Sequence, residues 1–165
     1  METDELRSIQ APLKERYRED PDAAIVTLKA HATLGEGVTC NVETGRAIAT
    51  AGLHRATGGD GADLCSGDML LEALAACAGV TMRAVATSMA IPVDGTVTAE
   101  GDLDFRGTLG VDREAWVGFR AVRVRFDLDT SVEDGRLAKL LELTERYCVV
   151  LQTLTRPPEL SVALN

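Results

Sequence analysis

A run of apolar residues from Leu70 to Ala90, LLEALAACAGVTMRAVATSMA, constrains the fold more than any other part of the chain. Its length and composition predict one long helix, which Ser66 or Asp68 can cap at the N-terminal end. The helix is apolar on nearly every side, and such helices are buried on all sides. A chain of 165 residues forms one domain with its own core, but it has little material to surround this helix. The sequence therefore predicts that a partner subunit supplies part of the cover.

The segments on either side of this run predict shorter helices and antiparallel strands. Glu5–Arg18 has a helical period that Pro12 interrupts, which predicts two short helices or one kinked helix. Alternating, β-branched segments predict strands over 23–34, 37–44, 45–53, 96–110, with a bulge at Gly101, and 119–130. A helix over 132–147 follows, then a short helix or turn ended by Pro157 and Pro158, and a last strand. Runs of strands rather than alternating units indicate an α+β fold with antiparallel sheets around the long buried helix.

Charge and composition argue against several classes of function. The net charge is −9 and no basic cluster compensates for it, which argues against a nucleic-acid partner. The N-terminal segment is charged from its second residue and lacks the apolar core of a signal peptide. Glu72 and Arg83 interrupt the longest apolar run, so no membrane span or membrane partner is expected. A cytoplasmic location is the resulting expectation.

Four cysteines, Cys40, Cys65, Cys77 and Cys148, then need an explanation other than structural disulfides, which are rare in the cytoplasm. The chain has two histidines and no Cys-x-x-Cys pair, so we expect no metal site. Free cysteine is among the most buried residue types, which makes a core position the simpler interpretation of Cys77. A reactive thiol within the long helix is the alternative interpretation.

Two motifs, each with one cysteine, together resemble the OsmC/Ohr family of osmotically inducible and organic hydroperoxide resistance proteins. The first is LCSGDMLLEALAACAGV, with Cys77 after small residues, and the second is ERYCVVLQTL, with Cys148. Val149 stands where the family has a proline after the second cysteine. The resemblance extends from about Ala24 to Leu164, so we expect an N-terminal helical extension over 1–23 and an OsmC-like domain over 24–165. It also implies an intertwined homodimer.

The resemblance implies thiol-dependent reduction of hydroperoxides without a cofactor. Cys77 would be the peroxidatic residue, whose thiolate attacks the O–O bond and becomes a sulfenic acid. Cys148 would be the resolving residue, which condenses with the sulfenic acid to a disulfide that an external dithiol reductant then opens. Apolar walls would favour an organic hydroperoxide over hydrogen peroxide. The alternative is a non-catalytic relative that binds a small apolar ligand at the dimer interface.

The chain departs from the family at the groups that activate the thiol, an arginine and the glutamate that holds it. Asp68 matches the acidic position, but nine residues are about two and a half helical turns, so Asp68 and Cys77 lie on opposite faces. An acid from a second subunit is therefore the expectation. The family's arginine aligns with LGEGV, which contains Glu36 and no arginine. Three arginines remain open as substitutes: Arg46, Arg55 and Arg146.

Overall fold

One long helix lying against an antiparallel sheet organises the fold. The computed structural model describes residues 3–34, 40–42, 52–62 and 64–164. The helices are α1 Thr3–Glu19, α2 Ser66–Ser88, α3 Phe105–Thr108, α4 Asp134–Tyr147 and α5 Val149–Thr155. The strands are β1 Ile25–Leu34, β2 Cys40–Val42, β3 Asp94–Asp104 and β4 Phe119–Asp129. The strands form an antiparallel sheet and the helices are separate from it, which confirms the predicted α+β class.

The four strands form one sheet in the order β2-β1-β3-β4, and every neighbouring pair is antiparallel. The strand predicted over 45–53 lies mostly outside the described residues. The strand predicted over 96–110 ends earlier, at Asp104, because the Asp104 side chain accepts a hydrogen bond from the Arg106 N–H and starts α3. The bulge predicted at Gly101 is also misplaced, since the register between β3 and β4 shifts between Asp102 and Leu103.

β4 has the two faces that its alternating sequence predicts. Its apolar residues Val122, Val124, Phe126 and Leu128 line a groove together with residues of α2 and α4. Its charged residues lie on the opposite face, where Arg123 and Arg125 form ion pairs with Asp102 and Asp127. One face of the strand is therefore solvated and the other is available for packing.

α2 is buried along one stripe rather than on all sides. It packs on β1 and β3 and also contacts α4 and α5. The buried residues of α2 are Leu71, Leu74, Ala75, Ala78, Gly79, Met82, Val85 and Ala86. Met69, Leu70 and Val80 are exposed in the single chain, so one copy does not cover the helix completely, and its cover by a partner stays a prediction. The helix is long and apolar enough to cross a membrane, but its buried stripe is compatible with the core helix of a soluble protein.

The ends of two segments differ from expectation. α2 begins after Cys65, which occupies the N-cap position without a side-chain hydrogen bond, so neither Ser66 nor Asp68 caps it. After α5, residues 157–164 form neither helix nor strand, and the predicted last strand is wrong for the single chain. Leu160, Val162 and Leu164 of this segment are 82–103% exposed, so none of them packs on the body of the molecule.

The N-terminal extension is one continuous helix that contains Pro12. It packs on the segment before α2 through two hydrogen bonds from side chains to backbone oxygens. The Tyr17 hydroxyl donates to the Ala56 oxygen at 2.7 Å, and Gln10 Nε2 donates to the Thr57 oxygen at 3.0 Å. Tyr17 also joins Phe105 and Leu109 in a second, smaller apolar cluster. The extension therefore fastens the loop that leads toward α2.

Candidate active site

Cys77 and Cys148 are brought together by the packing of α4 on α2. The buried Thr144 of α4 donates its hydroxyl to the Leu140 oxygen and contacts the Met82 sulfur of α2 at 3.7 Å. Cys148 follows Thr144 by one helical turn, and its N–H donates to the Thr144 oxygen at 2.9 Å. The end of α4 is thereby placed beside the middle of α2, where Cys77 lies.

The chain changes direction at Cys148, and this change supplies hydrogen-bond donors to the site. Cys148 has an extended backbone (φ −71°, ψ 103°) and separates α4 from α5. The first N–H groups of a helix have no acceptor within that helix. Those of Val149 and Val150, at the start of α5, donate to the Cys77 sulfur. The break between the two helices therefore surrounds one sulfur with donors.

These donors favour ionisation of Cys77. Burial raises the pKa of the Cys77 thiol, but hydrogen bonds from the Val150 N–H, the Cys148 thiol, the Thr81 hydroxyl and the Val149 N–H outweigh it. The pKa of Cys77 is consequently below the ordinary thiol value. Because the thiolate is the nucleophilic form, Cys77 is the more reactive partner of the pair at neutral pH.

The environment of Cys148 has the opposite effect. Its side chain is 0% exposed, and burial is the largest of the influences that raise the pKa of Cys148 to about 11. Its hydrogen bond to the Cys77 sulfur and the charge on that sulfur raise the pKa further, since Cys148 can donate only while protonated. Of the two thiols, Cys77 is therefore the one that ionises more readily.

Asp68 is not near this pair within one chain. It lies in the first turn of α2, roughly 13 Å from Cys77 along the helix axis at about 1.5 Å per residue. Burial raises the pKa of Asp68, and the nearby His54 lowers it. Burial likewise raises the pKa of Glu72, and the Asp68 charge raises it further. Asp68 therefore belongs to a separate group of titratable residues at the start of α2. This agrees with the expectation that Asp68 and Cys77 lie on opposite faces of the helix.

Among the described residues, neither Arg55 nor Arg146 is a cause of the lowered pKa of Cys77. Arg46 and Glu36 lie outside the described residues. Arg55 is exposed in a short 3-10 turn, and the Arg146 guanidinium lies 5.6 Å from the centre of the Tyr147 ring. The largest interactions with Cys77 come instead from uncharged donors, which the sequence interpretation missed. The sequence offered one signal for these donors: Thr81 follows Cys77 by four residues, and residues four apart on a helix are neighbours.

A wide apolar groove of about 940 Å³ lies beside Cys148. Its walls come from the apolar face of β4 and from α2, α4 and α5, and Cys148 and Leu151 are among its lining residues. Leu70 also lines the groove, and it lies two turns before Cys77 on the same side of α2. An apolar molecule in the groove would therefore lie next to Cys148.

Titratable side chains elsewhere do not form a metal site in the part of the chain that the structure describes. Within those residues, no group of three His, Cys, Asp or Glu side chains is arranged to hold a metal ion. Cys65 is a free, half-buried thiol at the start of α2. The chemistry that the described residues support is that of the thiol pair.

Comparisons with known proteins agree with this architecture. The family model described as OsmC-like protein matches residues 59–163, which include both cysteine motifs. None of the curated proteins matches the chain. Among solved structures, the chain is similar to an OsmC-like hydroperoxide resistance protein from Jannaschia sp. CCS1, with a TM-score of 0.58 and 16% sequence identity. The similarity covers 86% of this chain and 94% of that one. The fold and the family match together show that the chain belongs to the OsmC-like protein family.

Proposed function

We propose that the protein is a thiol-dependent peroxidase that reduces organic hydroperoxides through Cys77 and Cys148. The observation that carries this proposal is the packing of Cys77 against the core cluster that contains Cys148, next to the apolar groove that Cys148 lines. The pKa of Cys77 is lowered and that of Cys148 is raised. The OsmC-like family match, and the similarity in fold to a hydroperoxide resistance protein, support the same chemistry.

The reaction takes place in two steps at the same pair of sulfurs. The Cys77 thiolate attacks the distal oxygen of the hydroperoxide, the O–O bond breaks, and Cys77 becomes a sulfenic acid while the alcohol leaves. Cys148 then attacks the Cys77 sulfur, a disulfide forms and water is released. A dithiol reductant, such as a small redox protein, reduces the disulfide by thiol–disulfide exchange and restores both thiols.

The groove supports an organic substrate. Its walls are mainly apolar, so an alkyl or acyl chain gains free energy by leaving water there, whereas hydrogen peroxide has no apolar surface to bury. The same groove also supports the alternative function, binding of a small apolar ligand without turnover. The two differ in outcome, because a binding protein would leave the hydroperoxide intact.

We also propose that the working form is an intertwined homodimer. Apolar side chains that a single chain leaves exposed occur on α2, at the start of α5 and along residues 157–164, and they include Val80, Val149 and Val162. Exposed apolar surface of this extent marks a site of association. A second copy would cover the exposed side of α2 and would close part of the groove near Cys77. We place this dimer in the cytoplasm, where free thiols persist, and in the cellular response to oxidants.

Peroxide consumption by single-cysteine variants tests the peroxidase. With tert-butyl hydroperoxide and dithiothreitol, we expect Cys77→Ser to lose turnover and Cys148→Ser to lose most of it. Cys65→Ser is the matched control, because Cys65 is half-buried at the start of α2 but outside the pair, and it should retain wild-type turnover. Retained turnover in Cys77→Ser would overturn the proposal, and intact hydroperoxide with the wild-type protein would favour the ligand-binding function.

A further inference from the structure

Breaking the O–O bond of an alkyl hydroperoxide releases a strong base that needs a proton. The electron pair of the bond leaves with the alkoxide, and the activation barrier falls when an acid protonates this oxygen as it departs. The site beside the groove is apolar and Cys148 is fully buried, so bulk water is a poor source of that proton. A positioned acid of the protein is therefore required.

We propose that Cys148 is the general acid of the first step, giving its Sγ proton to the leaving alkoxide before it acts as the resolving thiol. This inference rests on the proposed peroxidase function. Atoms and charge balance in this step: Cys77 thiolate, Cys148 thiol and ROOH give Cys77 sulfenic acid, ROH and Cys148 thiolate. Cys148 thiolate then attacks the Cys77 sulfur and expels hydroxide, which takes a proton from solvent.

The position of Cys148 fits both tasks. Cys77 packs against the core cluster that contains Cys148, and Cys148 lines the groove in which an apolar hydroperoxide would lie. An alkoxide that departs from the distal oxygen on the groove side would therefore have the Cys148 thiol as a neighbouring proton donor. The transfer also generates the nucleophile of the second step at the moment when its target, the sulfenic acid, has formed.

The other donors at Cys77 are poorer acids. The backbone N–H groups of Val149 and Val150 donate hydrogen bonds but do not release a proton to an alkoxide. The Thr81 hydroxyl is an alcohol, so its acidity is close to that of the product and it gives no driving force. Of the described groups that contact the Cys77 sulfur, the Cys148 thiol is the strongest acid, even with its pKa at about 11.

The test compares two oxidants in the first turnover of wild-type protein and Cys148→Ala. Stopped-flow mixing followed by trapping of the Cys77 sulfenic acid with a cyclic diketone gives the rate of step one alone. tert-Butyl hydroperoxide releases an alkoxide that needs a proton, whereas peracetic acid releases acetate, which does not. Any change in the thiolate fraction of Cys77 affects both oxidants equally and cancels in the ratio of the two rates.

We expect Cys148→Ala to slow the reaction with tert-butyl hydroperoxide by about 100-fold and the reaction with peracetic acid by only a few-fold. Cys148→Ser keeps a weaker donor, so its rate with tert-butyl hydroperoxide should lie between those of the wild-type protein and Cys148→Ala. Equal slowing with both oxidants, or no slowing with either, would overturn the general-acid role while leaving the peroxidase intact. If the wild-type Cys77 does not react with tert-butyl hydroperoxide, the proposed function itself is wrong.

Discussion

Among the described residues, the groups that lower the pKa of Cys77 are hydrogen-bond donors and not positive charges. A thiolate in a half-buried site gains from each N–H, O–H or S–H group that points at it, and Cys77 has donors of all three kinds. Each bond is modest, yet several of them together outweigh the effect of burial on the pKa. An arginine from the undescribed residues or from a second subunit would add to this arrangement and is not required by it.

Thr81→Val removes one of these donors with little change in side-chain volume. We expect the pKa of Cys77 to rise, because the thiolate loses the Thr81 hydroxyl while burial still disfavours the charge. Alkylation of Cys77 by iodoacetamide at pH 7 should slow by roughly 2- to 10-fold, since a single hydrogen bond contributes about 0.5–1.5 kcal/mol. The measurement is the alkylation rate as a function of pH. In the wild-type protein, the midpoint of this curve should lie below that of free cysteine.

Thr81→Ser keeps the hydroxyl and is the control for that experiment, with a midpoint expected close to the wild-type one. A midpoint that stays unchanged in Thr81→Val would show that the Thr81 hydroxyl does not stabilise the thiolate.

At the scale of elements, the sequence predicts best where one pattern decides the structure. The alternation in β4 and the leucine spacing of α4 define faces that the structure confirms, because the buried face of each element is encoded locally. The start of α3 was missed, because it depends on the Asp104 side chain accepting from a backbone N–H two residues later. The contact of Cys77 with Cys148 came from a family resemblance and from packing, since no local pattern relates residues seventy positions apart.

The ion pair of Asp104 and Arg106 gives the turn between β3 and α3 a measurable pH dependence. Asp104 is 3% exposed, and its carboxylate accepts hydrogen bonds from Arg106 Nε and NH2 at 2.6–3.1 Å. These hydrogen bonds hold the pKa of Asp104 below its usual value, although burial opposes them. The resulting stabilisation is present above the unfolded-state pKa and is lost as the pH falls through the lower folded-state pKa.

Asp104→Asn should lower the free energy of unfolding at pH 7, because it removes the buried carboxylate that pairs with Arg106 and leaves Arg106 with Asp112 alone, at 3.4 Å. Urea denaturation followed by circular dichroism at pH 7 and pH 3 measures the effect, and the deficit should shrink at pH 3. Asp127→Asn is the control, since its pair with Arg125 is exposed and its loss should cost less than about 0.5 kcal/mol. A deficit of equal size at both pH values would contradict this explanation.

For the whole molecule, the single chain leaves too much apolar surface in water. α2 was predicted to be covered on all sides, yet Val80 on its outer side is 37% exposed and Val162 near the C-terminus is 99% exposed. The sequence cannot show how a second copy is arranged, because an interface between identical chains depends on surfaces formed only after folding. The predicted last strand fits the same explanation, since residues 157–164 have no strand partner among the described residues of one chain.

Sedimentation should therefore show a dimer at micromolar concentration, with an interface of roughly 2,000 Å² or more. Val80→Glu places a charge on the outer side of α2 and should shift the protein toward monomer. Glu114→Ala, in the exposed loop before β4, should leave the dimer unchanged. A wild-type protein that sediments as a monomer would show that the exposed side of α2 is not an interface between copies of this chain.

Peptide mapping after one equivalent of tert-butyl hydroperoxide tests the paired function of Cys77 and Cys148 most directly. The protein is treated without reductant, the remaining thiols are alkylated, and the digest is analysed by mass spectrometry. We expect the peptides of Cys77 and Cys148 to be joined by a disulfide, with Cys65 alkylated, because Cys77 packs against the cluster that contains Cys148 and its pKa is lowered. If Cys77 is alkylated along with Cys65, or is oxidised to sulfinic acid without a link to Cys148, the two-cysteine mechanism is wrong.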